Sequence, residues 1–101
     1  AEAYMRTLSV KQTVYRTAEM IEDLERQQVG TLANSSNYLA SELAFDASDA
    51  AVQTFGGFGI AREYDVERLF RDARLAKIAP ISQQLALNYV GEKALGLPRS
   101  F

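Results

Sequence analysis

Between residues 1 and 55 the sequence holds one glycine, Gly30, and no proline. Nothing else in the chain restricts the fold as much. Those two residues are the main interrupters of helices, and a stretch without them that also repeats apolar residues every three or four positions reads as helix. From Ala1 to Val29 the repeat falls on Ala1, Met5, Leu8, Tyr15, Ala18, Ile21 and Leu24. This predicts one long helix ending at Gly30. Lys11 and Gln12 fall where the stripe would continue, so that turn is expected to meet a wetter surface. The next stretch, about Thr31 to Phe55, places Leu32, Ser36, Ala40, Leu43, Ala47, Ala51 and Thr54 on one face. Small residues dominate there and allow a neighbouring backbone to approach closely. A short Gly30 connection makes the two helices antiparallel.

Gly56, Gly57 and Gly59 end the second helix, since consecutive glycines admit positive φ and each costs a helix about 1 kcal/mol relative to alanine. A third, shorter helix is predicted from about Asp65 to Ala76, with Val66, Leu69, Phe70, Ala73 and Ile78 as its apolar positions and an ionic opposite face. Pro80 suits a first helical turn, where its missing N–H is no loss, so a fourth helix is placed at Pro80 to Ala94. Leu85, Tyr89, Val90 and Leu95 would face inward, with Gly96-Leu97-Pro98 as the stop. The expected fold class is all-α: an up-and-down bundle of three long helices and a shorter one, forming one domain over residues 1–101.

Composition narrows the chemistry. With 48% hydrophobic and 24% charged residues the chain is an ordinary globular domain. Eleven basic against thirteen acidic residues give a net charge of −2 with no basic block, which argues against nucleic acid. The absence of histidine and cysteine removes disulfides, thiolate chemistry, histidine bases and most transition-metal sites. No apolar run approaches the roughly 20 residues of a membrane helix, and the start has no signal-peptide layout, so a cytoplasmic location is expected. The chain starts without methionine and already in helical register, which suggests a piece of something longer.

Three motifs could carry function. Gln53-Thr54-Phe55-Gly56-Gly57 joins a helix end, an amide side chain and bare backbone that a flat or anionic ligand could approach; the plainer reading is a helix stop and a tight turn. In Glu67-Arg68-Leu69-Phe70-Arg71-Asp72-Ala73-Arg74, Glu67 with Arg71 and Arg68 with Asp72 lie four apart. These pairs suit scaffolding, or arginine forks that hold a neighbouring loop or subunit. Ser82, Gln83 and Gln84 follow Pro80 at a helix amino terminus, where anions and acceptors are favoured, although ordinary helix-start residues look the same. Glu42, Asp46, Asp49, Glu63 and Glu92 could each serve as a base in principle. None has a recognisable partner, so the chain by itself shows no catalytic constellation.

In order along the chain, AVQTFGGFG, then EYDVERLFRDAR, then a helix start resemble the carboxy-terminal signature of acyl-CoA dehydrogenases. The likeness is strong from about Ala50 to Gln84, fair over Ala33 to Asp49 and generic before that. It implies a carboxy-terminal helical bundle of a flavoenzyme whose FAD lies between domains and between subunits. The family's Arg-x-x-Phe-Gly stretch has no counterpart here, so the bundle's first helix is expected to be missing and the face it covers exposed. The resemblance further implies that Gln53, Thr54, Phe55, Gly56 and Gly57 contact the adenosine and pyrophosphate side of an FAD held mainly by a neighbouring subunit. Ser82, Gln83 and Gln84 would line the same cofactor.

Some positions depart from the family pattern. Pro80 stands where many members carry the glutamate that removes the substrate's α-proton, Ile81 replaces a glycine, and Asn37 replaces a common lysine. No metal site is implied. The expected function is therefore a share in α,β-dehydrogenation of an acyl-CoA thioester by a longer parent, with a separate electron acceptor and a homodimer or homotetramer as the assembly. By itself the fragment is expected to be inactive. The alternative is a non-catalytic member that binds flavin or serves as a helical oligomerisation module, and Pro80 is its main support.

Overall fold

The computed structural model describes residues 1–100. Four α-helices are present, α1 at Glu2–Glu19, α2 at Arg26–Phe55, α3 at Val66–Ala76 and α4 at Gln83–Leu95. Two short 3-10 turns, Gly56–Ile60 and Arg62–Tyr64, lie between α2 and α3, and there is no strand among the described residues. The expected all-α class is what is found.

α2 organises the rest. α1 runs antiparallel along one side of it, tied by Arg6 Nη1 donating to Asp46 Oδ2 at 2.8 Å. On another side, α3 covers the carboxy-terminal half of α2 and α4 the amino-terminal half. Phe45 meets Phe70 with ring centroids 5.2 Å apart, while Gln27 Nε2 donates to the Lys93 carbonyl at 2.7 Å. The helices form an open layer, 47 × 32 × 20 Å, in place of a closed bundle. Its core is correspondingly thin: Leu43, Val66, Ala73 and Ala86 are the buried apolar side chains among the described residues.

Several predicted boundaries and faces are corrected. The break between the first two helices falls at residues 20–25, and Gly30 lies inside α2. The helix starts there because Glu25 and Gln28 form a reciprocal capping box, Gln28 Oε1 accepting from the Glu25 N–H at 3.0 Å. Gly30 permits close approach instead: a Cβ built on it would lie 2.1 Å from the Tyr89 hydroxyl of α4.

The stripe expected on the first helix faces the wrong way. Met5, Leu8, Tyr15 and Ile21 are exposed, and the residues turned toward α2 are Arg6, Val10, Thr13, Thr17 and Met20. The fourth helix starts three residues later than expected. Ser82 is its N-cap, its hydroxyl accepting from the Leu85 N–H, and Pro80 lies outside the helix after a cis Ala79–Pro80 bond. A serine cap satisfies an orphan N–H, which a proline in the first turn does not do. Gln83 and Ala86 are the buried positions of α4, whereas Leu85 and Leu95 are exposed; Leu69 and Ile78 are likewise exposed rather than inward. α3 and the Gly96 stop, with Gly96 in the left-handed region, fall where the sequence placed them.

The glycine turn after α2 divides its residues by role. Gly56 has φ 59°, a conformation that L side chains rarely adopt. Gly59 is buried, and an added Cβ would lie 2.6 Å from the Val52 carbonyl oxygen, whereas Gly57 faces open space. Gly59→Ala is therefore expected to destabilise by about 1–3 kcal/mol through overpacking against backbone. Gly57→Ala should stay within about 0.5 kcal/mol of the parent, the ordinary range of surface changes. Urea unfolding of the two variants checks this, and equal midpoints would remove the assigned role of Gly59.

Candidate functional site

Two surfaces carry the residues singled out from sequence. The first is the end of α2. Gln53, Thr54 and Phe55 are exposed on its last turn, and Gly56 and Gly57 continue the edge with no neighbouring atom within 4 Å of where a Cβ would stand. The Thr54 hydroxyl donates to the Ala50 carbonyl at 2.8 Å and keeps its lone pairs for a ligand. Beside this edge lies an exposed aromatic group, with the Tyr64 ring 6.1 Å from Phe55 and 5.3 Å from Phe58. The edge thus offers an amide, a hydroxyl oxygen, bare backbone and ring faces. Such a set suits a flat ligand with polar edges.

The second surface is a cleft of about 460 Å³ where α2, α3 and the start of α4 meet, lined by Phe45, Arg74, Lys77, Ile78 and Ser82 to Gln84. Its residues do not all point the same way. Gln84 is exposed and Ser82 half-buried, but Gln83 is 8% exposed and its carboxamide turns inward to α2. Gln83 Nε2 donates to Ser41 Oγ at 3.0 Å and to Glu42 Oε1 at 2.6 Å. Lys77 Nζ reaches the same Glu42 oxygen at 2.7 Å and lies 4.8 Å from the centre of the Phe45 ring. The Gln83 backbone N–H closes the ring of contacts by donating to the Lys77 carbonyl at 3.2 Å.

The junction was not legible in sequence, because its members come from three elements. Glu42, for which the sequence shows no partner, has two. Hydrogen bonds from Lys77 and then Gln83 hold its carboxyl below the ordinary value of 4.5. A carboxylate so stabilised is a poor base near neutrality. Asp46 is paired with Arg6 and Glu92 with Lys93. Pro80, exposed between α3 and α4, carries no proton acceptor on its side chain. Among the described residues no group of three or more His, Cys, Asp or Glu could hold a metal ion.

The ionic ladder of α3 forms as the spacing suggests. Arg71 Nε donates to Glu67 Oε2 at 2.7 Å, and Arg68 bridges Asp65 and Asp72 at 3.2 Å each. Both arginines stay exposed, so the ladder contributes little beyond helix support.

Along α2 Gln53 lies eleven positions beyond Glu42, which separates the two surfaces by roughly 17 Å at 1.5 Å per residue. They therefore do not close on one compact pocket within this chain. One offers ring faces and an amide edge, the other a hydroxyl, an amide and the Arg74 guanidinium, with Lys77 held by Glu42.

The pH dependence of stability tests the junction. Because the folded pKa of Glu42 lies below its unfolded value, its contribution is fully present above about 4.5 and is lost as pH falls through the folded value. Glu42→Gln should be less stable than the parent at pH 7, with the gap narrowing as pH falls below about 4.5. Melting temperatures of both proteins between pH 7 and 3.5 would show it, and a constant gap would refute the pairing.

The family model described as acyl-CoA dehydrogenase, C-terminal domain, matches residues 1–95. Acyl-CoA dehydrogenase FadE12 of Mycobacterium tuberculosis is 49% identical over 69 residues, which is 68% of this chain and 18% of that protein. Cyclohexane-1-carbonyl-CoA dehydrogenase of Geobacter metallireducens is 32% identical over 85 residues, 84% of this chain and 22% of that protein. A probable acyl-CoA dehydrogenase, FadE25 of Mycobacterium leprae, matches with the same identity and the same coverage. No solved structure matches the chain. The chain spans about a fifth of the length of the curated relatives it matches. With nearly its whole length covered by the family's carboxy-terminal model, the chain belongs to the acyl-CoA dehydrogenase family as its C-terminal domain.

Proposed function

We propose that this chain is the part of an FAD-dependent acyl-CoA dehydrogenase that contacts the cofactor and joins subunits, in a protein that removes an α-proton and a β-hydride from an acyl-CoA thioester. Family membership supplies the reaction class. What supports a cofactor role for these residues is the exposed edge Gln53-Thr54-Phe55-Gly56-Gly57, which leaves an amide, a hydroxyl oxygen and bare backbone open at the end of a rigid helix. When bound, FAD would accept the hydride and pass the electrons to a separate acceptor.

The chain's own residues bind and orient. Gln53 can donate and accept along a ring edge, and Thr54 can accept through its free lone pairs. Phe55 offers a ring face, while Gly56 and Gly57 let the ligand reach the backbone. At the other surface Ser82 and Gln84 present a hydroxyl and an amide and Arg74 a guanidinium to the same cleft, while the Lys77 ammonium is held by Glu42. Gln83 serves the site indirectly, by tying the start of α4 to α2. No proton-transfer step is assigned to this chain, because the position of the usual glutamate is Pro80; the base lies elsewhere in the complete protein.

Assembly follows from the open layer. Tyr4, Met5, Leu8 and Tyr15 are 68, 62, 43 and 56% exposed on α1, more apolar surface than a free-standing monomer commonly shows on one helix. Burial against the bundle helix that the resemblance leaves unmatched, or in a homodimer or homotetramer, would account for it. No described helix is long and apolar enough to cross a membrane; a cytoplasmic location is a separate part of the proposal. A second reading, a non-catalytic member that binds flavin without turning over thioesters, is favoured by Pro80 alone.

The deciding measurement is made on the complete polypeptide purified with FAD. Flavin absorbance is followed anaerobically on adding a panel of acyl-CoA thioesters, and turnover is followed with an artificial electron acceptor. Bleaching by at least one thioester is the expected result. Bound FAD that no thioester bleaches would establish the non-catalytic reading, and a protein that takes up no FAD would overturn both.

A further inference from the structure

The contacts among Glu42, Lys77 and Gln83 go beyond what holds two helices together. α3 ends at Ala76 and α4 begins at Gln83, and the intervening segment is tied to α3 at its start, where the Ile78 and Ala79 N–H groups donate to the Leu75 carbonyl. Both of its ends are fixed to one carboxylate oxygen. Lys77 Nζ lies 2.7 Å from Glu42 Oε1, Gln83 Nε2 donates to the same atom at 2.6 Å, and the Gln83 backbone N–H donates back to the Lys77 carbonyl at 3.2 Å. Ser41 takes the second amide proton of Gln83 at 3.0 Å. The loop is thereby clamped at its base to the middle of α2. Ser82 and Gln84, the residues that flank Gln83, are left facing the cleft.

The position of this clamp is informative. Lys77 is 16% and Glu42 29% exposed at the side chain, so both partners are partly desolvated, whereas the ladder arginines Arg68 and Arg71 are 50 and 65% exposed. Partly buried pairs give little net stability compared with apolar residues of the same shape, and what they retain is directionality. A leucine and a methionine there would pack but would not fix the angle of the loop.

We propose that Glu42 and Lys77 are positioning residues for the cofactor wall: through Gln83 they set where Ser82 and Gln84 stand, and so how tightly the flavin cofactor is held. The inference rests on the reading of this cleft as a flavin surface. It assigns to Glu42 and Lys77 a role without direct contact with the cofactor.

The test uses the complete polypeptide and three variants: Lys77→Arg, Lys77→Met, and the double change Glu42→Leu with Lys77→Met. FAD dissociation constants, the visible flavin spectrum and melting temperatures of the FAD-free proteins are measured for each. The double variant should melt within a few degrees of the parent, since both charges are replaced together. Its FAD affinity should nevertheless fall about tenfold, with the flavin bands moving toward those of free FAD, and Lys77→Arg should stay close to the parent. A double variant of parental affinity and spectrum overturns the proposal while leaving the flavin reading intact. A parent protein that binds no FAD overturns the flavin reading and this inference with it. If the double variant does not fold, Lys77→Met alone carries the same expectation for affinity and spectrum, and parental values there overturn it equally.

Discussion

Every other helix depends on α2 staying continuous for thirty residues. At 1.5 Å per residue it is about 45 Å long. That nearly equals the 47 Å longest dimension of the molecule. α1, α3 and α4 each pack on it, so it carries the register of the whole layer. Small apolar side chains alone would fix that register poorly, because Ala and Ser surfaces slide past one another with little change in contact. Directional contacts do it instead, spaced along the rod. Gln27 meets the Lys93 carbonyl near one end, Gln83 meets Ser41 and Glu42 in the middle, and Asp46 holds Arg6 from the opposite side.

A layer has a cost that a closed bundle avoids. Each helix meets neighbours on part of its circumference only, and a fold that buries one face needs a second layer to cover the other. Here the buried apolar set among the described residues consists of Leu43, Val66, Ala73 and Ala86, and no large side chain is fully enclosed. α1 shows the consequence most clearly. It turns Thr13, Thr17 and Arg6 toward α2 and leaves Tyr4, Leu8 and Tyr15 in solvent. An amphipathic helix oriented in that way has its stronger apolar contact outside the chain described here.

The same fact explains what was legible in the sequence. Helix existence was readable, since periodicity and the scarcity of Gly and Pro act locally, and α3 and the Gly96 stop lie where they were expected. Which face turns inward was readable for α2, whose small-residue stripe meets this chain's other helices, and unreadable for α1, whose stripe does not. Gly30 misled because glycine serves two physical purposes, ending a helix and admitting a close neighbour, and only the position of Tyr89 decides between them. The Glu25/Gln28 capping box was the local signal for the true start. Pro80 and Ser82 competed for the same helix start, and the residue that could satisfy a backbone N–H took it. At the candidate site the exposed Gln53 edge was evident from its glycines. The junction of Glu42 with Lys77 and Gln83 was not, as its members lie 35 and 41 positions apart from Glu42 along the chain.

Rigidity links the two surfaces. Between Gly30 and Gly56 the sequence of α2 contains no glycine or proline, so the helix has none of the usual sites of a sharp kink over that span. The Gln53 edge and the Ser41–Glu42 anchor are therefore held at a fixed separation of roughly 17 Å by an unbroken hydrogen-bond ladder. Two surfaces set so far apart on one rod cannot both close around a small ligand, whichever way their side chains rotate. On the proposed reading they would engage the separated ends of one elongated cofactor, or two cofactors of a symmetric assembly. In either case binding requires little reorganisation of this domain, because the distance that matters is already set by backbone and not by loops. The segment between α3 and α4 lies outside the helices, and its base is fixed by the carboxylate that both of its ends share.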